Sequence, residues 1–299
     1  MSRKVRAIFS RGWRFLQRPF SEKSRSLYWR WRSLFPNMSL PVRLPFGGWW
    51  LARNDYLGRC ILEGQFESAE VAFVSRFLRP GMTVLDVGAH HGFYTLLLSK
   101  LVGPEGRVFA FEPSPRERRT LLRHVRINRC GNVNVEALAL GSEEGNASLF
   151  VVQGEQTGCN SLRTPASDVP GEFIPTPVRI VRLDDWLDAQ KIERVDFIKL
   201  DVEGGELEVL RGAEDLLERH PRLLILAELQ DMRAEAWGQR AKDVAAFLQS
   251  FGFRWFKPML GGNLANVPED RDEYDDNLVA VPAERMGEIA EMIEHGPRS

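Results

Sequence analysis

The sequence predicts an α/β fold with a mostly parallel sheet and helices on both faces. From residue 83 onward, short β-rich runs alternate with amphipathic stretches of helical length. Two runs, at 195–201 and 222–229, are almost continuously apolar, which is typical of strands buried on both sides. Strands separated by helices of this length form βαβ crossovers, so the strands lie parallel.

The elements follow in order from these patterns. Seven strands are predicted at 83–87, 107–112, 133–139, 195–201, 222–229, 253–257 and 277–281. Helices are predicted at about 92–101, 115–127, 205–218 and 240–251. Residues 141–177 break the alternation with glycine, proline, serine and threonine. That segment is either an excursion over the active site or a mobile loop.

Composition limits the class of protein. The chain has 299 residues, of which 43% are hydrophobic and 27% charged, enough for one large domain with extensions. The densest apolar run, Leu223 to Ala227, is far shorter than the roughly 20 residues of a membrane span. Three scattered cysteines without CxxC spacing exclude a disulfide framework and a zinc knuckle. We expect a cytoplasmic protein.

The first 34 residues carry ten basic residues and one acidic residue, which leaves 30 basic and 40 acidic residues in the remainder. A helix from about residue 3 to Pro19 would separate an apolar half from a basic half. Such a helix docks either on a protein surface or on anionic lipid at the inner membrane surface. Nucleic acid is disfavoured as a partner because the rest of the chain would repel phosphate. We therefore divide the chain into a basic, aromatic N-terminal extension, 1–58, and a main domain, 59–299.

The stretch DVGAHHG, residues 86–92, follows the first clear strand. In a dinucleotide-binding turn, GxGxxG, Asp86 would take the place of the first glycine. A carboxylate there would face a pyrophosphate in a partly desolvated turn and repel it. The sequence therefore disfavours a nicotinamide oxidoreductase.

S-adenosylmethionine suits this turn because it carries a sulfonium and an ammonium but no phosphate. Gly88 and Gly92 let the backbone approach a ligand closely. Glu112 ends the next strand and can accept hydrogen bonds from both ribose hydroxyls. Asp86 either faces the cationic end of the donor or caps the following helix. The other candidate donor-binding residues are Ala89, His90, Tyr94, Pro113 and Ala139.

A second acidic cluster, IKLDVEGGE at 198–206, lies at the end of the fourth predicted strand. A positioned carboxylate can remove the proton of a hydroxyl while the methyl group is transferred in line from sulfur. Glu203 is the first candidate for this base and Asp201 the second, whereas Glu206 is a favourable charge in the first helical turn. His91 is a further candidate base.

No resident metal is predicted. A divalent ion shared by Asp201, Glu203 and Glu228 remains an alternative, since it would lower the pKa of an acceptor hydroxyl. In the segment GCNSL, at 158–162, Asn160 and Ser161 are interpreted as turn-forming residues, with substrate contact as the alternative.

The motifs DVGAHHGFYT, GRVFAFEPSP, LDDWL, VDFIKLDVEGGELEVLRG and LLILAELQ, together with Asn128 after a helix, resemble the FkbM family of S-adenosylmethionine-dependent methyltransferases over roughly 60–282. The resemblance implies a seven-stranded class I sheet with a reversed last strand. It also implies O-methylation of a saccharide or secondary metabolite, with Asp86, Gly88, Gly92 and Glu112 around the donor. The sequence departs from the family at His90, where asparagine is usual. The alternative function is a non-catalytic donor-binding scaffold in a biosynthetic assembly, held there by the basic N-terminus.

Overall fold

The structure is a computed structural model that describes residue 34 and residues 39–53, 55–164 and 171–293. The amphipathic helix predicted near the N-terminus lies outside these residues. Thirteen strands are described: β1 Leu40–Arg43, β2 Trp49–Ala52, β3 Thr83–Val87, β4 Arg107–Phe111, β5 Val133–Glu136, β6 Leu138–Leu140, β7 Gly145–Val152, β8 Phe173–Val181, β9 Phe197–Leu200, β10 Leu224–Gln230, β11 Phe253–Pro258, β12 Leu264–Asn266 and β13 Asp275–Pro282.

Ten α-helices lie among these strands in the described part of the chain. They are α1 Tyr56–Glu63, α2 Ser68–Phe77, α3 Phe93–Val102, α4 Pro115–Ile127, α5 Leu183–Gln190, α6 Glu206–Arg211, α7 Glu214–Arg219, α8 Asp231–Glu235, α9 Ala241–Ser250 and α10 Met286–Ile289. None of the helices in the described residues is both long and apolar enough to cross a membrane.

The main sheet has the strand order β12-β11-β13-β10-β9-β3-β4-β5. Its central pairs are parallel, and β13 lies antiparallel between β10 and β11. This arrangement confirms the predicted class I methyltransferase sheet with a reversed last strand. The strand predicted at 133–139 is interrupted at Ala137, so that only β5 belongs to this sheet, whereas β6 pairs with β8. The sheet also contains an eighth strand, β12, which pairs antiparallel with β11. Its three residues are too short a run to show a strand pattern in the sequence.

The strand register determines where the site lies. Val87 at the end of β3 is paired with Phe111 of β4 on one side and with Leu200 of β9 on the other. The chain order reverses at β3, because β4 and β5 lie to one side and β9 and β10 to the other. The loops that follow these three strands therefore meet at a switch point, where open α/β sheets bind their ligands.

Two apolar layers cover the faces of the sheet. On one face, α2 and α3 pack against alternate strand residues such as Val84 and Phe197, and the hairpin β1–β2 adds Trp50 to this layer. On the other face, α5, α6, α7 and α9 cover residues such as Leu85 and Ile198. Because Trp50 is buried in the same layer as Val84, the hairpin upstream of residue 59 shares one core with the main domain.

The segment 141–177 is built largely of β-structure. Strands β7 and β8 pair antiparallel, and β8 also pairs with β6 to form a separate three-stranded sheet. Leu149 of β7 and Asn160 beyond it line the same cleft as Gly88. In its described residues, the segment is therefore the excursion over the switch point that the sequence left open.

The helix predicted at 205–218 is divided into α6 and α7. Gly212, between them, lies so close to the neighbouring chain that an added Cβ would stand 2.1 Å from the carbonyl oxygen of Gly141. This close packing bends the chain and starts a new helix after Ala213. Helices α1, α2, α5, α8 and α10 were not predicted from the sequence.

Candidate active site

A cleft lies at the carboxyl ends of β3, β4 and β9, beneath the three-stranded sheet. It encloses about 630 Å³ of empty space, which includes the part open to solvent. One end is apolar, and the other end is acidic. Its lining includes Gly88, His90, Glu112, Leu138, Ala139, Asn160, Asp201, Glu203 and Trp237.

The loop after β3 is held tightly against the loop after β9. Gly88 has a φ of 86°, and an added Cβ would lie 1.7 Å from the carbonyl oxygen of Asp201. His90 is also in the left-handed region, with a φ of 47°. Asparagine and histidine are both enriched in this conformation, which gives a physical reason why histidine can occupy a position where the family usually has asparagine. The His90 ring is hydrogen-bonded through Nε2 to Thr157 Oγ1 at 3.1 Å.

Glu112 directly follows β4 and points into the cleft. Its carboxylate accepts hydrogen bonds from the backbone N–H groups of His90, at 2.7 Å, and Ser114, at 2.8 Å. Burial raises the pKa of Glu112 to about 8, although the two N–H donors partly offset this effect. These two bonds fix the carboxylate beside the donor loop, and each oxygen retains a lone pair for a ribose hydroxyl.

Asp86 lies on β3 behind the wall of the cleft. Its carboxylate accepts a hydrogen bond from Thr95 Oγ1 at 2.5 Å and another from the Thr95 backbone. Thr95 is in the first turn of α3, so Asp86 holds the beginning of this helix, as the capping interpretation expects. Burial raises the pKa of Asp86 to about 6. A direct contact between Asp86 and the donor remains a prediction.

Asp201 and Glu228 form a hydrogen-bonded carboxyl pair at the acidic end of the cleft. The register of β9 and β10 brings them together, because Leu200 is paired with Ala227. Burial, and then the neighbouring charge of Asp201, raise the pKa of Glu228 well above its ordinary value. Burial alone would raise the pKa of Asp201 as well, but the Lys199 ammonium, 3.1 Å away, lowers it. Glu228 therefore holds the proton, and Asp201 is the ionised partner.

Lys199 holds this carboxyl pair in place through its ion pair with Asp201. Its side chain is only 2% exposed, and its ammonium also lies 3.3 Å from Asn277 Oδ1 and over the ring of Tyr94. Burial would lower its pKa, but the surrounding carboxylates of Asp201, Glu67 and Glu228 raise it. The lysine remains charged and cannot be displaced without leaving Asp201 unpaired.

Glu203 lies in the loop after β9 and is held by a cation from another helix. Its Oε2 is 2.9 Å from Nε of Arg233 in α8. Both side chains are mostly buried. The neighbouring Gly204 has a φ of 97°, and a Cβ there would stand 2.2 Å from the carbonyl oxygen of Arg233. The glycine therefore allows the loop to pack closely enough for the ion pair to form.

Two groups of side chains offer ligand atoms within 4.8 Å of one another: Asp201, Glu203 and Glu228 form one, and His90, His91 and Glu117 form the other. The three carboxylates of the first group are already compensated by Lys199 and Arg233. In the second group, the two imidazole rings are stacked 3.8 Å apart, with an 18° angle between their planes. Their in-plane lone pairs run nearly parallel and do not converge on one ion.

The predicted site residues are divided between the cleft and its outer wall. Gly88, His90, Glu112, Pro113, Ala139, Asp201 and Glu203 line the cleft. Asp86, Ala89, His91, Gly92 and Tyr94 do not line it. Tyr94 donates from its hydroxyl to Glu67 at 2.5 Å, and His91 is buried beside Asp55, with its pKa lowered well below the ordinary value by burial.

Sequence reasoning missed three features of the acidic end. From the sequence, Glu228 was considered only as a possible metal ligand, and neither Arg233 nor Trp237 was identified as a site residue. A signal for Glu228 was present, because it lies near the end of a predicted strand next to that of Asp201. Arg233 and Trp237 gave no comparable signal, since they lie in and after the short helix α8. Asn160 lines the cleft and accepts a hydrogen bond from the Val152 N–H, and Ser161 donates from its hydroxyl to the carbonyl of Glu203. Neither residue lies in a turn, so their interpretation as turn-forming residues is wrong, and substrate contact stays a prediction.

The two ends of the cleft differ in their chemistry. Leu138 and Ala139 form an apolar strip, and Glu112 presents carboxyl oxygens to the cleft. Asp201 and Glu203 place carboxylates at the opposite end. The nearby cations Lys199 and Arg233 are engaged by carboxylates, so they are not displayed toward a pyrophosphate.

Replacing Glu112 with glutamine is expected to weaken the binding of S-adenosylhomocysteine by about 10- to 100-fold, because the amide nitrogen of glutamine donates where a carboxyl oxygen accepts, and an unpaired buried polar group costs about 1–3 kcal/mol. Calorimetric titration measures the affinity. The exposed Glu105→Gln variant makes the same substitution outside the cleft and should leave the affinity unchanged. Equal affinities for the Glu112 variant and the unmodified protein would remove Glu112 from the donor site.

Comparisons with known proteins agree with this geometry. The family profile of the methyltransferase FkbM domain matches residues 86–255. The chain is 30% identical over 230 residues to the 31-O-demethyl-FK506 methyltransferase FkbM of Streptomyces tacrolimicus, covering 68% of this chain and 80% of that protein. It is 26% identical over 163 residues to the 2-O-methyltransferase NoeI of Sinorhizobium fredii, covering 49% of this chain and 63% of that protein.

Two further matches cover a smaller share of the matched protein. The chain is 28% identical over 146 residues to Methyltransferase 1 of Beauveria bassiana, and it spans 58% of the length of that relative and covers 44% of its own. Among solved structures, a methyltransferase FkbM from Methylobacillus flagellatus is similar with a TM-score of 0.43 and 19% identity, covering 75% of this chain and 52% of that one.

Proposed function

The chain belongs to the FkbM family of methyltransferases and uses S-adenosylmethionine as its methyl donor, and we propose that it methylates a hydroxyl oxygen of a saccharide or a hydroxylated secondary metabolite. The observation that carries the proposal is the Asp201–Glu228 pair, which places one ionised carboxylate at the acidic end of the cleft. A hydroxyl needs such a base, because it is a poor nucleophile while protonated.

The donor supplies a methyl group bonded to a sulfonium. Glu112 and the loop at 88–90 hold its nucleoside part, and the apolar strip of Leu138 and Ala139 excludes water from the adenine. The negative charge of Asp201 and Glu203 orients the cationic part toward the acidic end. These groups bring the methyl carbon and the acceptor oxygen into line, which is the larger part of the catalytic effect in methyl transfer.

Asp201 accepts the acceptor's proton. The oxygen–carbon bond forms as the carbon–sulfur bond breaks, and the bonding pair remains on sulfur, which becomes a neutral thioether. Glu228 keeps its own proton and donates a hydrogen bond to Asp201, while Lys199 balances the negative charge. The base is therefore presented in one protonation state and one orientation.

Glu203 has a positioning role in this proposal. The ion pair with Arg233 fixes its carboxylate in the wall of the cleft, and a carboxylate has about four lone-pair sites, so it can also accept a hydrogen bond from an acceptor hydroxyl. His91 has no part in the reaction, because it does not line the cleft. The names of two relatives, a 2-O-methyltransferase and a 31-O-demethyl-FK506 methyltransferase, support transfer to oxygen and a hydroxylated acceptor.

Glu203→Gln is expected to lower kcat by less than about tenfold and to raise KM for the acceptor by a similar factor, since glutamine keeps a carbonyl acceptor but loses the ion pair. Steady-state kinetics with a fixed, saturating donor concentration measures both constants. A loss of about 10²-fold or more in kcat with an unchanged KM would instead make Glu203 the base.

Incubation with isotopically labelled donor and an extract of hydroxylated metabolites and saccharides tests the function itself. We expect label in a product whose new methyl carbon is bonded to oxygen, as seen by NMR. A methyl group on nitrogen or carbon would overturn O-methylation. The alternative function, a donor-binding scaffold without turnover, predicts normal donor affinity and no labelled product from any extract.

A further inference from the structure

An exposed basic surface covers the outer side of α4. We call it the α4 surface and define it by its exposed residues on α4, just after α4 and on the adjoining hairpin: Arg43, Trp49, Arg119, Leu122, Arg123, Arg126, Ile127 and Arg129. The five residues of this surface that belong to α4 lie about one helical turn apart, at 119, 122–123 and 126–127, so they share one face of the helix. The opposite face of the helix carries Leu121 and His124 into the core.

The hairpin and the helix present these residues as one rigid unit. The amide of Asn128 bonds both ways to the backbone of Trp49, accepting from its N–H at 2.6 Å and donating to its carbonyl at 2.8 Å. His124 Nε2 accepts from the N–H of Leu51 at 3.0 Å. The guanidinium of Arg43 lies over the Trp49 ring, 4.8 Å from its centre. The aromatic and basic groups are thus fixed side by side.

Charge is concentrated on this side of the molecule. Residues 39–53 and 115–129 contain eight arginines and one carboxylate, Glu117, which is buried and paired with Arg116. The first 34 residues, which lead into β1, add ten basic residues and one acidic residue. The remainder of the chain holds 22 basic and 39 acidic residues. An anionic partner is therefore attracted to the α4 surface and repelled elsewhere.

Large apolar side chains interrupt the arginines. Trp49 is 44% exposed, Leu122 45% and Ile127 38%. A polyphosphate chain such as RNA would satisfy the arginines but leave these three side chains in water. The boundary of a lipid bilayer accommodates both, because headgroups pair with the arginines while tryptophan and aliphatic groups enter the interface.

We infer that the α4 surface docks on an anionic lipid membrane. The arginines contact the headgroups, and Trp49, Leu122 and Ile127 enter the headgroup boundary. Docking of this kind would bring the cleft to acceptors that are themselves attached to lipid, but the inference does not depend on the reaction.

The full chain is tested by co-sedimentation with vesicles of phosphatidylcholine, with and without phosphatidylglycerol. We expect binding only with phosphatidylglycerol, and weaker binding at high salt. The variant Arg119→Gln, Arg123→Gln, Arg126→Gln should bind about 10- to 100-fold more weakly. The control Arg219→Gln, Arg222→Gln, Arg254→Gln removes the same charge from exposed positions elsewhere and should bind like the unmodified protein.

A second variant, Leu122→Gln, keeps every charge and should weaken vesicle binding by about three- to tenfold through the loss of apolar burial. All variants should keep their affinity for S-adenosylhomocysteine, which shows that they fold. The inference is overturned if the α4 variant binds vesicles as well as the control does. It is also overturned if the unmodified protein binds an RNA homopolymer but not the anionic vesicles.

Discussion

Asp201→Asn is expected to lower kcat by about 10²- to 10⁴-fold while leaving the affinity for S-adenosylhomocysteine within a few-fold of the unmodified protein, because asparagine fills the same space but cannot accept a proton. Single-turnover measurements with labelled donor and a hydroxylated acceptor give the rate of the chemical step. A reduction below about threefold would remove Asp201 as the base.

The matched control is Glu228→Gln. The amide of glutamine can donate to Asp201 as the protonated Glu228 does, so this variant should keep a rate within about threefold of the unmodified enzyme. Glu228→Ala removes the donor and should be considerably slower. If the glutamine variant were as slow as Asp201→Asn, Glu228 itself would be the group that exchanges the proton.

The pH profile provides an independent readout of the same pair. Asp201 acts while ionised, and its pKa lies below the ordinary value of 3.8 because Lys199 and the hydrogen bond from Glu228 outweigh its burial. The ionisation of Asp201 should therefore cause no loss of turnover between about pH 7 and pH 5. A loss centred near about pH 6 would instead report another group, such as the Asp86 carboxyl, whose pKa is raised by burial to about 6.

Gly88→Ala is expected to abolish measurable donor binding. The added methyl group would meet the carbonyl oxygen of Asp201 at 1.7 Å, so the loops after β3 and β9 would have to separate. The left-handed backbone adds about 1–2 kcal/mol of strain for any residue with a Cβ. Calorimetry measures the donor affinity, and denaturant unfolding measures the free energy of unfolding.

Gly81→Ala separates these two effects. Gly81 has the same φ of 86° but no atom within 4 Å of an added Cβ. It should lose about 1–2 kcal/mol of stability and keep its donor affinity. If both variants lost equal stability and neither lost affinity, the close approach of the two loops would be unimportant for the donor site.

Much of the fold could be predicted because its signals are local and repeated. The seven strands of the main sheet are apolar runs bounded by turns, and the boundaries of α4 are those expected from the sequence. The hairpin β1–β2 and the pair β7–β8 were not predicted. Their strands bury only part of their side chains and contain prolines such as Pro175 and Pro177, so their sequence patterns are weak.

The residues that adjacent strands bring together in the cleft were easier to predict than the contacts of its acidic end. Gly88 and Glu112 directly follow strands that are adjacent in the sheet, so strand order alone brings them together. The Asp201–Glu228 pair depends on register, and the Glu203–Arg233 pair depends on how α8 packs over the loop. Neither is contained in the spacing of residues along the chain.

Five non-glycine residues in the described part of the chain adopt left-handed backbone geometry: Glu67, His90, Arg129, Lys191 and Glu203. His90 and Glu203 line the cleft, where His90 is hydrogen-bonded to Thr157 and Glu203 is paired with Arg233. Lys191 merely ends α5 at an exposed position, and glycine is the residue that helix ends of this kind favour. Replacement of Lys191 by glycine during evolution would relieve this backbone strain and raise the free energy of unfolding, and it would change no residue of the cleft. A protein with this additional stability could then tolerate destabilising substitutions around the acidic end of the cleft and so acquire new substrates.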